Sequence, residues 1–214
     1  MPAKFFTQLH HLHKALLLCL VLVPFCGARE WNHDWDHEET RTDSREFVVG
    51  GTVHLHLSVG DVHIRRGDST KINLRYTVKS RSEEKVKNAR VDFEVHGSDA
   101  TIEFHGSSTS NTQFDVELEV PANTNLDVHG KVGDLNVEEV EGDKDLELGV
   151  GDIRVTREPS TYKLVRASTG IGDVNGSGYG ETSGWLGKSL KYRGEGKYEL
   201  RAHVGVGDIT LDGK

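Results

Sequence analysis

Along much of the chain apolar and polar residues alternate one by one. Leu55-His56-Leu57-Ser58-Val59, Leu146-Glu147-Leu148-Gly149-Val150 and Leu200-Arg201-Ala202-His203-Val204 share this pattern, which is that of a β-strand with one buried face. A Gly-Asp pair follows soon after each, and then the alternation resumes as Val62-His63-Ile64, Ile153-Arg154-Val155 and Ile209-Thr210-Leu211. Further strands are predicted over 71–78, 91–95 and 114–120, the last ended by Pro121-Ala122-Asn123. One stretch departs from the pattern: Ser82-Glu83-Glu84-Lys85-Val86-Lys87-Asn88-Ala89 favours one or two helical turns.

The Gly-Asp pair between β-branched or leucine flanks is a repeat. It occurs five times, at Gly60-Asp61, Gly133-Asp134, Gly151-Asp152, Gly172-Asp173 and Gly207-Asp208. Glycine supplies positive φ and aspartate tolerates turn conformations, so each pair is a structural turn, either a two-residue hairpin or the corner of a solenoid coil. The separation of 18 residues from Gly133 to Gly151 and 21 from Gly151 to Gly172 matches one coil of a repeat β architecture. The expected fold is all-β, a β-solenoid or β-helix-like stack of short strands with Gly-Asp turns; an antiparallel β-sandwich is the alternative. Nothing after residue 47 is rich enough in Pro, Gly or Ser to act as a linker, so 47–214 is expected to form a single β-repeat domain.

The N-terminus is of another kind. Lys4 and Lys14 precede the apolar run Ala15-Leu16-Leu17-Leu18-Cys19-Leu20-Val21-Leu22-Val23-Pro24-Phe25-Cys26, which Gly27-Ala28 closes. This predicts a signal peptide over 1–28 followed by a flexible leader over 29–46; the run is short for an uncleaved membrane anchor. Pro24 and Phe25 argue against a lipid anchor at Cys26, which needs small residues before it. Removing 1–28 would take away both cysteines and leave 24 basic against 34 acidic residues, a formal charge of −10. That balance disfavours nucleic acid and anionic membranes as partners. With 24 Gly against 4 Pro and 35% hydrophobic residues, the composition suits many short strands.

Candidate chemistry is sparse. Asp61, Asp134, Asp152, Asp173 and Asp208 invite a calcium reading, but the spacing is far longer than in calcium-binding nonapeptide repeats, and aspartates bonding their own neighbouring backbone explain the pattern without metal. His33 and His37, four apart, would share a face only on a helix, which nothing there predicts. His54, His56, His63, His129 and His203 fall on polar strand positions and read as exposed, with a pH-responsive face as the sharper reading. There is no Gly-x-Ser-x-Gly, His-Glu-x-x-His or P-loop, and neither a catalytic residue nor a cofactor or metal site is expected. The Gly-rich excursion from Gly176 to Gly187 displays Tyr179 and Trp185, aromatic contact residues that could bind a ligand; the alternative is that Trp185 and Leu186 fold back to cap the stack.

The run Glu119-Val120-Pro121-Ala122-Asn123-Thr124-Asn125-Leu126-Asp127-Val128, the recurring Val-Gly-Asp and the closing Leu200-to-Leu211 segment resemble a bacterial family of adhesin-like exported β-strand-repeat proteins of unknown function, related to the head domain of autotransporter adhesins. The resemblance covers roughly 47–212. Where this chain has Val or Ile before Gly-Asp, members of the family often have Ser. It implies a β-helix-like envelope protein, in the periplasm or at the cell surface, with no established activity. The expected role is a non-enzymatic interaction module for a protein or glycan partner, with self-association through solenoid ends as a further possibility. A glycan-active hydrolase or lyase using a row of aspartates, and a component of an envelope-stress response, are the alternatives.

Overall fold

The computed structural model describes residues 35–106 and 111–213, within a unit spanning Trp35–Lys214. The signal-peptide reading of 1–28 and the reading of His33 lie outside the described residues. In chain order the elements are β1 (His37–Glu46), β2 (Thr52–Gly67), β3 (Lys71–Ser80), α1 (Glu83–Asn88), β4 (Arg90–His96), β5 (Asp99–His105), β6 (Thr112–Pro121), β7 (Asn125–Val132) and β8 (Leu135–Glu138). There follow β9 (Lys144–Val150), β10 (Ile153–Thr156), β11 (Tyr162–Ile171), β12 (Val174–Ser177), β13 (Thr182–Ser183), β14 (Ser189–Arg193), β15 (Tyr198–Val206) and β16 (Ile209–Asp212). The fold is all-β, and the short helix lies where the sequence predicts helical turns.

Five coils build the stack. Each runs along a longer strand, turns at Gly-Asp and continues in a shorter strand: the two halves of β2, then β7–β8, β9–β10, β11–β12 and β15–β16. Neighbouring coils pair in parallel, in register, in both sheets. The alternating pattern explains why, because in-register stacking lines up the inward side chains in columns. One column is Leu55, Val128, Leu146, Ala202 and Ala167; another is Val62, Leu135, Ile153, Ile209 and Val174. All ten are buried.

The spatial order corrects one reading. From Gly133 to Gly151 is one coil, as the 18-residue spacing suggests, but Gly151 and Gly172 are not neighbours. β15 lies between β9 and β11, and β16 between β10 and β12, so the last coil made is the fourth in the stack.

Beyond β2 the parallel pattern gives way. The first half of β2 pairs with β5, which pairs antiparallel with β4; the second half pairs with β6, which leads antiparallel through β3 to β1. Phe104, Phe114 and Tyr76 close the interior here, with the Phe104 and Phe114 ring centroids 5.1 Å apart. Residues 37–46, expected to be a flexible leader, are instead a ten-residue strand paired with β3 over its whole length. Both of its faces carry polar side chains, so no apolar alternation marks it. Arg41 fastens it by donating to the carbonyls of Ala89 (2.6 Å) and Val86 (3.1 Å), and Arg45 lies over the Phe93 ring.

Candidate functional site

The Gly-Asp corners stack into one edge of the molecule in the order Gly60, Gly133, Gly151, Gly207, Gly172. The four after Gly60 have φ between +131° and +139°, and a Cβ on any of them would stand about 2 Å from the preceding glycine's carbonyl oxygen. Glycine is therefore required twice over, by conformation and by approach.

The aspartates form a ladder beside the glycines. Asp61 Oδ1 accepts from the Asp134 amide (3.0 Å), Asp134 from Asp152 (3.0 Å), Asp152 from Asp208 (2.8 Å) and Asp208 from Asp173 (2.8 Å). This corrects the expectation that each aspartate bonds its own turn: the carboxylate caps the amide of the adjacent coil's aspartate. A second ladder runs along another line of corners, where Asn125 Oδ1 accepts from the Asp143 amide (2.9 Å) and Asp143 Oδ1 from the Glu199 amide (2.8 Å). Gly142-Asp143 lacks apolar flanks, which is why it falls outside the sequence repeat, although Gly142 at φ +109° does the same conformational work.

On the outer face of the longer strands imidazoles alternate with carboxylates. His54 Nδ1 is 2.7 Å from Asp127 Oδ2, His129 Nε2 is 2.8 Å from Asp127 Oδ1, and His129 Nδ1 is 3.3 Å from Glu147. His56 stacks on His129, and His203 meets the Ser168 hydroxyl. Burial pushes the Asp127 carboxyl up, but hydrogen bonds and charge from His54 and His129 outweigh it and hold the group below the usual carboxylate range. His63 on the other sheet lies 3.2 Å from Glu138. His37 is in strand β1, so its spacing from residue 33 does not place the two on one helical face. Among the described residues no three His, Cys, Asp or Glu side chains converge for a metal.

The two aromatics of the Gly-rich excursion part company. Tyr179 is buried, its ring edge-on to Tyr192 and its hydroxyl donating to the Arg157 carbonyl at 2.5 Å, so it is an interior anchor and not a contact residue. Trp185 is 97% exposed and its neighbour Leu186 is also exposed, so neither folds back to cap the stack. Their loop is tied down where Thr169 and Lys188 exchange hydrogen bonds and Gly187 bridges to Gly172. The residues just before four corners, Val132, Val150, Val206 and Ile171, form an exposed apolar row in coil order along the same edge.

Sequence reasoning missed Lys144, whose neighbours Asp143 and Asp145 suggest an exposed position. It occupies an inward column between Leu126 and Leu200 and is 2% exposed. Its ammonium donates to the Gly142 carbonyl at 3.0 Å and lies 5.4 Å from the Tyr162 ring centre. Burial, with a smaller push from the Arg157 charge, brings its pKa down to about 7. No described helix is long and apolar enough to cross a membrane.

Neither a family model nor a curated protein matches the chain. Among solved structures, a putative cell adhesion protein from Clostridium sporogenes aligns at 18% identity and a TM-score of 0.52, over 82% of this chain and 100% of that one. A putative adhesin from Parabacteroides merdae aligns at 13% identity over 82% of this chain and 81% of its own, with a TM-score of 0.33, too low to support an argument. The chain thus shares the fold of the Clostridium sporogenes protein, in agreement with the adhesin-like resemblance carried by its sequence.

Proposed function

We propose that the protein is a non-enzymatic, exported envelope protein, in the periplasm or at the cell surface, and that it works as an adhesin-like interaction module whose partner is a neutral glycan. The observation that carries this reading is Trp185, 97% exposed on a loop anchored to the end of a rigid stack. A flat indole free on both faces stacks on the C–H face of a sugar ring, and Thr182, Ser183 and Ser189 set hydroxyls around the same loop. The net charge of −8 favours an uncharged ligand over an acidic one. The ladder geometry supports a structural role for the corner aspartates, since each of four already receives a backbone amide.

The test is titration of the full chain with neutral cell-wall and capsular glycans, followed by tryptophan fluorescence and by the melting temperature. One glycan is expected to raise Tm and alter the emission in the wild type, to do neither in Trp185→Ala, and to be recovered uncleaved. Cleavage products would overturn the non-enzymatic reading. Capture of an envelope protein that depends on Trp185, with no glycan response, would replace the glycan by a protein partner.

A further inference from the structure

At the end of the stack opposite Trp185, β1 is the outermost strand of its sheet, pairing with β3 on one side and with no described strand on the other. The Phe47 amide donates to the Thr70 carbonyl, which continues the β1–β3 ladder by one step. Backbone groups alternate sides along a strand, so those of the odd-numbered residues face β3. Those of Glu38, Thr40, Thr42, Ser44 and Glu46 consequently face the free edge.

Edge strands are commonly protected by charge that repels a second copy. β4, the edge of the other sheet at this end, fits that rule: laid antiparallel on itself about its centre, it sets Asp92 against Glu94. β1 does the opposite at its centre. Turned about Thr42, its sequence sets Glu39 against Arg45 and Arg41 against Asp43, each pair occurring twice, and confines like charge to Glu38 against Glu46 at the outer ends. Glu39, Arg41, Asp43 and Arg45 fall at the positions that do not exchange backbone hydrogen bonds, where facing side chains come closest. The Thr42 register also makes the most opposite-charge pairs, because centring on Thr40 keeps only Glu39 with Arg41 and centring on Ser44 only Asp43 with Arg45. A slide that centres the pairing on Arg41 would set Arg41 against itself and Glu39 against Asp43; centring on Asp43 would set Arg41 against Arg45. In the single chain the carboxylates are held within the strand, Glu39 by Arg41 and Asp43 by Arg45, while Arg41 also donates to the Ala89 and Val86 carbonyls; pairing exchanges the intrastrand carboxylate contacts for interstrand ones.

We infer that β1 is a dimerisation edge, at which two copies of this chain pair antiparallel about Thr42 and join their sheets end to end. The two Trp185 loops then lie at the far ends of the assembly, which leaves this inference independent of what those loops bind.

The experiment uses the full chain carrying Cys19→Ser and Cys26→Ser. In an antiparallel pair centred on residue 42, two copies of Thr42→Cys face each other at a Cα separation of about 5.5 Å, within disulfide reach, whereas two copies of Thr40→Cys stand roughly 13 Å apart. Mild oxidation is expected to give a covalent dimer at least tenfold faster for Thr42→Cys than for Thr40→Cys, while Thr40→Cys combined with Ser44→Cys cross-links again. In sedimentation at about 100 μM, the chain without added cysteine is expected as a dimer and Glu39→Lys/Asp43→Lys as a monomer with an unchanged circular dichroism spectrum. A monomeric parent chain, equal cross-linking at positions 40 and 42, or a dimer that survives the double charge reversal would overturn the inference.

Discussion

At the corner, a single methyl group is enough to test the stack. In Gly151→Ala the new Cβ meets the Gly133 carbonyl oxygen at 1.9 Å, at a φ of +131° that only glycine adopts with ease, and the contact atom is backbone that cannot swing away. Destabilisation of about 3 kcal/mol or more is expected, measured by urea unfolding. Gly97→Ala is the matching control, with φ +64° but open space around the new methyl, and it should lose only about 1 kcal/mol. Lys144 sets a different test. Below pH 7 its ammonium is charged whether the chain is folded or not, and the folded state bears the full burden of burying it. Between about 7 and 10.5 the folded lysine is neutral while the unfolded one still binds a proton, so stability rises with pH across this window. Lys144→Met should remove that slope and raise stability at pH 6 by on the order of a few kcal/mol, as read from urea midpoints at pH 6, 8 and 10.

For the elements, the aspartate ladder makes a prediction that separates hydrogen bonding from metal binding. Asp152→Ala takes the acceptor from the Asp208 amide and should destabilise by about 1–2 kcal/mol, whereas Asp152→Asn keeps a side-chain oxygen there and should stay within about 0.5 kcal/mol. Thermal melts in calcium and in chelator should superimpose for all three proteins; a calcium-dependent rise in the parent would mean that the ladder's outer oxygens bind the ion. These elements were also what the sequence revealed best. Alternation marks β2, β3, β4, β6, β9 and β15, and the flanked Gly-Asp pairs mark one line of corners. The second ladder escaped notice because Asn125, Asp143 and Glu199 share an acceptor or amide position but no common motif. β1 escaped because a strand with two polar faces has no alternation to read. Lys144 was missed because burial of a lysine leaves no trace in a polar run. Tyr179 and Trp185, six residues apart in one Gly-rich stretch, differ only in whether the chain turns them in or out.

Across the whole molecule, coil order was the least legible property. Every coil offers the same apolar columns and the same corner, so each is complementary to any other, and periodicity gives the length of a coil without naming its neighbour. The consequence is that β11–β12 has no stacking partner on the β9–β10 side until β15–β16 is made. A chain ending at Gly196 should lose not one coil but two: the missing one and β11–β12, left without its neighbour. Limited proteolysis is expected to cut such a chain throughout 162–193 while sparing 52–156. Resistance across 162–193 would show that the β11 coil can dock directly on β9.

Most repeat arrays lengthen by copying a unit onto an end. Here β16 emerges from the middle of the pile, with sheet neighbours on both sides. A coil laid down directly after it would begin one place short of the outer surface and would have to pass over β12 to reach it. Where such a stack can grow is thus set by the route of the chain and not by its sequence repeat.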